Sequence, residues 1–282
     1  MSKITPASKI LETYYPNKTK ASSFCPGCGI GITGQALARA LESIGIPLDK
    51  VAVMAGAGCH GFTTADFACD QYLGAHGRAL ASATGLKLAR PDLTVVTLAG
   101  DGDTGAIGGN HFLHAARRNV DVTLIISNNF IYGRTGGQYG PTSPAGSVTT
   151  TAPHGLMEPT IDFCKLAEAA GATFVARGTT YHTTQLVDLI GKGILHKGFS
   201  VIDVISQCPE SYGRLNPQRM GRTGTQMMKW MRENAVSVEK AKKATAEELA
   251  NKIRIGIFVE KEAPEFVAEY QKLVKRVQRE MN

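Results

Sequence analysis

Two apolar runs end in loops that carry hard oxygen donors, and this pairing constrains the chain more than any other feature. Leu93 to Ala99 stops abruptly at Gly100-Asp101-Gly102-Asp103, and Val122 to Ile126 stops at Ser127-Asn128-Asn129. Runs this apolar read as strands buried on both faces, as in a parallel sheet covered by helices. Ligands of such sheets collect at the carboxyl ends of the strands. Neighbouring strands therefore present Asp101 and Asn129 at one edge. Oxygen donors of this kind suit Mg²⁺, which keeps one or two protein carboxylates and takes its other oxygens from phosphate and water. Gly100 and Gly102 let the backbone approach an anion closely. A helix expected to begin near Ala106 would aim its N–H groups at that anion. A short glycine motif alone could equally be a tight strand-to-helix turn. The paired asparagines at the next strand end favour the ligand reading.

The rest of the chain fits a doubly wound α/β fold, a parallel sheet flanked by helices, followed by a mostly helical C-terminal extension. Residues Met1 to Ser23 lack periodicity and read as an extended arm. Apolar positions from Ile32 to Ile44 recur at helical spacing, and Gly45 and Pro47 end that helix. Val51 to Met54 reads as a buried strand running into the glycine-rich Ala55 to Gly61. Further helices are expected at Ala79–Ala89, Asn110–Arg118, Asp162–Ala170 and Thr183–His196, with strands at Thr173–Ala176 and Phe199–Ile205. The last of these runs into Gln207-Cys208-Pro209. The segment Ile131 to Gly146 is long enough for a functional loop. Beyond it, helices are expected at Met227–Arg232, at Thr245–Asn251 and after Pro264, with a strand at Ile253–Val259.

The net charge of +7 is concentrated toward the C-terminus, where lysines alternate with glutamates from Lys229 to Arg279. This pattern reads as solvated helix faces. No basic stripe interleaved with aromatics is present, which argues against nucleic acid. A basic surface could still meet an acidic electron carrier. No run of about 18 apolar residues suggests a membrane span, and no secretory h-region is seen near the N-terminus. The expected location is cytoplasmic, where the six cysteines would be reduced or metal-bound.

Four of those cysteines, Cys25, Cys28, Cys59 and Cys208, fall in loops at element ends. Pro26 and Gly27 separate the first pair and expose both sulfurs. A redox dithiol, a structural zinc site and an iron–sulfur cluster all remain open on spacing alone. Zinc ribbons usually supply two C-x-x-C pairs, whereas this chain has one pair and two distant singletons. Cys164, among Phe163, Leu166 and Ala167, reads as core, and Cys69 as packing. His111 and His114 follow the GDG loop, with hydrogen-bonded structural roles as the default.

Taken together, C-P-G-C-G, the glycine-flanked Cys59, the GDG/NN pair and Cys208-Pro209 resemble the β subunit of 2-oxoacid:ferredoxin oxidoreductases, over roughly Ser22 to Arg222. That resemblance implies a thiamine diphosphate-binding domain over 25–222, an N-terminal arm over 1–24 and an extension over 223–282. It implies one [4Fe-4S] cluster on Cys25, Cys28, Cys59 and Cys208. It places Mg²⁺ on Asp101, Asn129 and the carbonyl of Ile131. Contacts to thiamine diphosphate would come from Ala57, Gly58, Cys59, His60, Gly102, Asp103, Gly133 and Arg134, with His60 and Arg134 as candidate catalytic groups.

The implied reaction is CoA-dependent oxidative decarboxylation of a 2-oxoacid, or its reverse, with electrons passing through the cluster to ferredoxin. The hard chemistry belongs to the cofactor. Cys59 would let one loop touch both electron source and acceptor. The pyrimidine-binding domain is absent here, so an α subunit is the expected obligate partner, with room for further small subunits. Gly136 stands where many members have a lysine expected to meet the substrate carboxylate, and Arg134 is an alternative cation. The Thr135-Gly136-Gly137-Gln138 form resembles 2-oxoglutarate-type members. Pyruvate or another 2-oxoacid is the runner-up substrate. A non-redox thiamine enzyme subunit with structural zinc, and a non-catalytic metal-binding subunit, are the competing classes.

Overall fold

The structure, a computed structural model, describes residues 6–15, 23–61, 63 and 67–281. Its strands are β1 (Val51–Ala55), β2 (Asp70–Leu73), β3 (Thr94–Gly100), β4 (Thr123–Asn128), β5 (Phe174–Thr179), β6 (Ser200–Ile205), β7 (Ala235–Ser237) and β8 (Ile253–Glu260). The helices are α1 (Ala7–Tyr14), α2 (Ile30–Ile44), α3 (Ala79–Ala89), α4 (Gly109–Arg118), α5 (Phe163–Ala169), α6 (Thr183–Leu195), α7 (Pro217–Met220), α8 (Gly224–Asn234), α9 (Val238–Ala241) and α10 (Phe266–Met281).

The strands form one sheet in the order β2-β1-β3-β4-β6-β5-β8-β7. The first six in sequence run parallel, so their carboxyl ends share one edge. β8 joins antiparallel to β5, with a register shift between Val175 and Ala176, and β7 lies parallel to β8. The sheet is therefore mixed at one side, and the C-terminal extension adds strands as well as helices.

Alternation along each strand feeds two cores. Leu124 and Ile126 of β4 pack with Phe112 of α4, Phe163 of α5 and Val267 of α10 on one face. Ile125 packs with Leu37 and Leu41 of α2 and Ile190 of α6 on the other. All three β4 side chains are fully buried, each worth about 1.5–3 kcal/mol in apolar transfer. Burial on both faces explains why β3, β4 and β6 read as continuous apolar runs. Among the described residues, no helix is long and apolar enough to cross a membrane.

Three local expectations need correction. Residues 1–5 and 16–22 of the expected arm lie outside the described residues, but Ala7–Tyr14 is helical rather than extended. Ile10 and Tyr14, one turn apart, are buried against the α2 face, and Tyr14 Oη donates to Glu42 at 3.3 Å. Docking of two residues stabilises a helix too short to show periodicity. No α-helix begins near Ala106. Asp103–Ile107 is a π-helical turn, and α4 starts at Gly109. A Cβ on Gly105 would approach Phe163 Cζ at 2.8 Å, so this wide turn lies tightly on α5. Residues 245–251 form successive turns instead of a helix. Thr245 and Glu248 make reciprocal capping bonds there, but no apolar face follows to propagate a helix.

Candidate functional site

β3 and β4 are in register up to Gly100 and Ser127, and this carries Asp101 and Asn129 to the same edge. Asp101 is 3% exposed, and its Oδ2 accepts a hydrogen bond from Thr142 Oγ1. Burial pushes its carboxyl up to about 6, against the lowering effect of Thr142 and the Gly102 N–H. Asn129 is buried, and its Oδ1 accepts from the Ile131 N–H at 3.3 Å. Phe130 between them adopts φ 65°, an uncommon conformation for a bulky residue. Its carbonyl accepts from Ser143 Oγ at 2.5 Å, and its ring packs 5.6 Å from that of Tyr212.

The two asparagines do different work. Asn128 Nδ2 donates to Asp203 Oδ1 at 3.1 Å, and Arg177 joins Asp203 at 2.7 Å and Asp162 at 2.6 Å. Asp203 is fully buried, and these contacts tie the end of β4 to the paired Arg177 of β5 and Asp203 of β6. Asn128 thus anchors the strand end from which Asn129 is presented.

Close approach makes glycine necessary around this edge. A Cβ on Gly102 would strike the Tyr132 ring, and one on Gly56 would strike the Asp103 carboxylate. Tyr132 Oη donates to the Gly102 carbonyl at 3.2 Å. The Asp103 side chain bonds His76 Nδ1 and the Gly77 N–H, so it ties the GDG loop to the start of α3. Ala57, Gly58 and Cys59 form the half-buried loop after β1, with Gly58 at φ 134°. His60 is 6% exposed, and neither ring nitrogen has a partner among the described residues. Burial pushes its pKa down to about 4, which keeps the ring neutral. His60 Cε1 would lie 2.7 Å from a Cβ on Gly100, so this unsatisfied polar ring sits directly at the GDG loop. A buried polar group without a partner calls for an explanation, and a ligand at this strand edge would supply one.

Beside this edge the four loop cysteines surround one cavity. Cys25, Cys28, Cys59 and Cys208 line a space of about 190 Å³ together with Asn129, Gly133, Arg134 and Glu210. Three separate loops supply them. The first is a turn closed by the Cys28 N–H on the Cys25 carbonyl at 3.0 Å. It docks on the end of β6 through the Gly29 N–H and the Gln207 carbonyl, also at 3.0 Å. A Cβ on Gly29 would come within 2.9 Å of the Gln207 backbone nitrogen and collide with Ser206 Oγ. Gly27, at φ 75°, faces Gly224 at the start of α8. Gly133 brings the loop after β4 against Cys208, whose Sγ would lie 3.4 Å from a Cβ there.

Burial pushes the Cys28 thiol up to about 12, with further upward contributions from Cys208, Cys59 and Cys25. The Cys59 thiol is raised by burial and then by Cys208 and Cys25, while Arg134 opposes the shift. Thiols that raise one another are close neighbours, and a bound metal replaces their protons. Among the described residues, no three His, Cys, Asp or Glu side chains are gathered tightly enough for a single metal ion. The sulfurs ring a space instead of meeting at a point.

Cys164 is buried in the core, with Sγ 3.9 Å from the Ala176 carbonyl. Cys69 is half-buried and packs against the second core. His111 is half-exposed and His114 exposed on α4, and neither lines the thiol cavity. Sequence reasoning missed Thr142, Tyr132, His76 and the Arg177–Asp203 pair. Only the first two carried a signal, because they lie in the segment 131–146 marked by its length.

Residues 56–204 match the family described as thiamine pyrophosphate enzyme, C-terminal TPP binding domain. The chain is 49% identical to the 2-oxoglutarate synthase subunit KorB of Methanocaldococcus jannaschii, over 91% of this chain and 94% of that protein. It is 41% identical to the KorB subunit of Archaeoglobus fulgidus, over 89% of each. Among solved structures it resembles a 2-oxoglutarate:ferredoxin oxidoreductase from Magnetococcus marinus with 2-oxoglutarate, coenzyme A and succinyl-CoA bound. That match has a TM-score of 0.83 and 29% identity, and covers 95% of this chain and 90% of that one.

Proposed function

The chain belongs to the 2-oxoglutarate synthase KorB subunits, and from that premise we propose how its two site halves divide the reaction. It is the β subunit of a 2-oxoglutarate:ferredoxin oxidoreductase, an enzyme that interconverts 2-oxoglutarate and coenzyme A with succinyl-CoA and CO₂. As a β subunit with a thiamine pyrophosphate-binding domain, it works with an α subunit.

The donor set at the strand ends fits a magnesium-bound diphosphate. Asp101, Asn129 and the Ile131 carbonyl would hold Mg²⁺, an all-oxygen set with one carboxylate. The loops at Ala57–His60, Gly102–Asp103 and Gly133–Arg134 would meet the cofactor. Cys25, Cys28, Cys59 and Cys208 would hold one [4Fe-4S] cluster, since four thiolates around a cavity suit a cluster better than one zinc with sulfurs at about 2.3 Å. When bound, thiamine diphosphate supplies an electron sink for loss of CO₂ and the cluster accepts electrons one at a time.

The chain's own residues prepare for this. A buried carboxyl at Asp101 is costly to ionise without a cation nearby, so Mg²⁺ binding and deprotonation go together. Thr142 orients that carboxyl, and the Asn128–Asp203–Arg177 network fixes the strand end beside it. His60 offers two neutral ring nitrogens to the bound cofactor. Gly136 sits at φ 125°, where a lysine would be strained, in keeping with the Thr-Gly-Gly-Gln form of the loop. The α subunit would supply a pyrimidine-binding domain, so the isolated β chain is expected to lack complete activity. Exposed Cys25 puts the thiol cavity near solvent, where ferredoxin could receive electrons. A cytoplasmic location suits these unpaired thiols.

One observation carries the reading most strongly. Cysteines far apart in sequence line a single cavity that Asn129 of the diphosphate side also lines. The α–β complex, prepared without air, should contain iron and acid-labile sulfide. It should turn over 2-oxoglutarate faster than pyruvate, with coenzyme A and a low-potential acceptor. Colourless, iron-free protein, or full turnover by the β chain alone, would refute this assignment.

A further inference from the structure

Arg134 stands in the wall of the thiol cavity, five residues beyond Asn129 on the stretch that leaves β4. Its neighbour Gly133 abuts Cys208, and Arg134 lines the cavity together with Cys59 and Cys208. Glu210, on the turn after β6, lines the same cavity with the opposite charge. We propose that Arg134 tunes the reduction potential of the four-thiolate centre, with Glu210 as its counterweight. The proposal rests on reading the four cysteines as ligands of one [4Fe-4S] cluster.

The effect is electrostatic. A cubane with four thiolates is doubly negative when oxidised and triply negative after accepting one electron. Cluster potentials follow this net charge and its surroundings. A guanidinium beside the cluster favours the more negative, reduced form. Arg134 and Glu210 are themselves exposed, so water and salt screen part of each effect but not its sign. Glu210 acts in the opposite sense. With a cluster held by these cysteines, each electron from the 2-oxoacid would have to enter it and then leave it for the low-potential acceptor. Two such transfers balance one decarboxylation. Raising the cluster potential would ease the entry of each electron and hinder its exit to the acceptor. Arg134 thereby biases the direction in which the enzyme runs most readily.

The test uses the α–β complex prepared without air, with wild-type, Arg134→Gln, Arg134→Lys and Glu210→Gln β chains. Iron and labile sulfide are measured first, and the cluster is then titrated with paramagnetic resonance as the readout. At unchanged iron content, Arg134→Gln should lower the potential. The expected size is a roughly tenfold smaller reduced-to-oxidised ratio at fixed solution potential, which is ~59 mV for a one-electron couple. Arg134→Lys should restore most of that shift, and Glu210→Gln should move the potential upward. An unmoved potential in iron-replete Arg134→Gln overturns the proposal, as does a raised KM for 2-oxoglutarate with no change in potential. If Arg134→Gln loses its iron, an unmoved potential in Glu210→Gln overturns it equally. Wild-type protein without iron and sulfide would instead sink the cluster assignment itself, a separately visible failure.

Discussion

Asp101 and Asn129 hang from two adjacent strands whose register is fixed by their shared hydrogen bonds, whereas the four cavity cysteines arrive on three loops from distant parts of the chain. On the diphosphate side the sheet does the positioning, and the donors are buried before any metal binds. On the thiol side, position depends on docking contacts, such as the Gly29 N–H on the Gln207 carbonyl and the approach of Gly27 to Gly224. Cys25 is exposed, and the other three thiols are half-buried. A site built on strand ends is held by the fold. A site assembled from loops is held partly by what it binds. The two halves should therefore fail separately and by different routes.

The largest separation should come from Asp101→Ala. It removes the only carboxylate of the proposed magnesium set and should weaken thiamine diphosphate binding by more than the roughly 10–100-fold typical of an outer partner. Iron content should stay unchanged. Calorimetric titration with Mg²⁺ and cofactor, alongside iron analysis, checks both halves at once. Thr142→Val removes the hydroxyl that orients Asp101 and should fall within that 10–100-fold range.

A milder probe is pH. Asp101 holds its proton up to about 6 in the metal-free fold, so Mg²⁺ bound there would displace a proton below that value. Cofactor affinity should drop by up to about tenfold per pH unit as pH falls below about 6. Without metal the sign for stability is opposite. The folded state binds more protons than the unfolded chain between 3.8 and about 6, so metal-free stability from this group declines as pH rises through that window. Thermal melts at several pH values, with and without Mg²⁺, should show this reversal. The smallest effect should come from Gly29→Ala, which forces the C-P-G-C turn off the β6 end. Iron per chain should fall by a few-fold while thiamine diphosphate affinity holds. Equal loss of both ligands in any of these variants would erase the distinction between the two halves.

The same contrast explains what could be read in advance. Leu93–Ala99 and Val122–Ile126 announced buried parallel strands because helices cover both faces, and GDG and NN marked their ends. Even the division of labour between Asn128 and Asn129 stayed hidden, because it depends on Asp203 and Arg177 from other strands. Three readings of the cysteines fitted their spacing, and nothing local could show that Cys208 meets the Cys25 loop. β2 escaped notice because its four residues are exposed, and α1 because its two buried side chains make one turn. The π-helical turn at Asp103–Ile107 arises from tight packing on Phe163, a tertiary cause without a local pattern.

Paramagnetic resonance of the reduced, air-free α–β complex carrying Cys208→Ser gives the most direct answer. Cys208 is the cavity thiol most remote in sequence from the other three. The [4Fe-4S] signal of the wild type should be lost or strongly altered, with thiamine diphosphate binding intact. A signal identical to that of the wild type, or a wild-type complex that holds zinc in place of iron, would contradict the account.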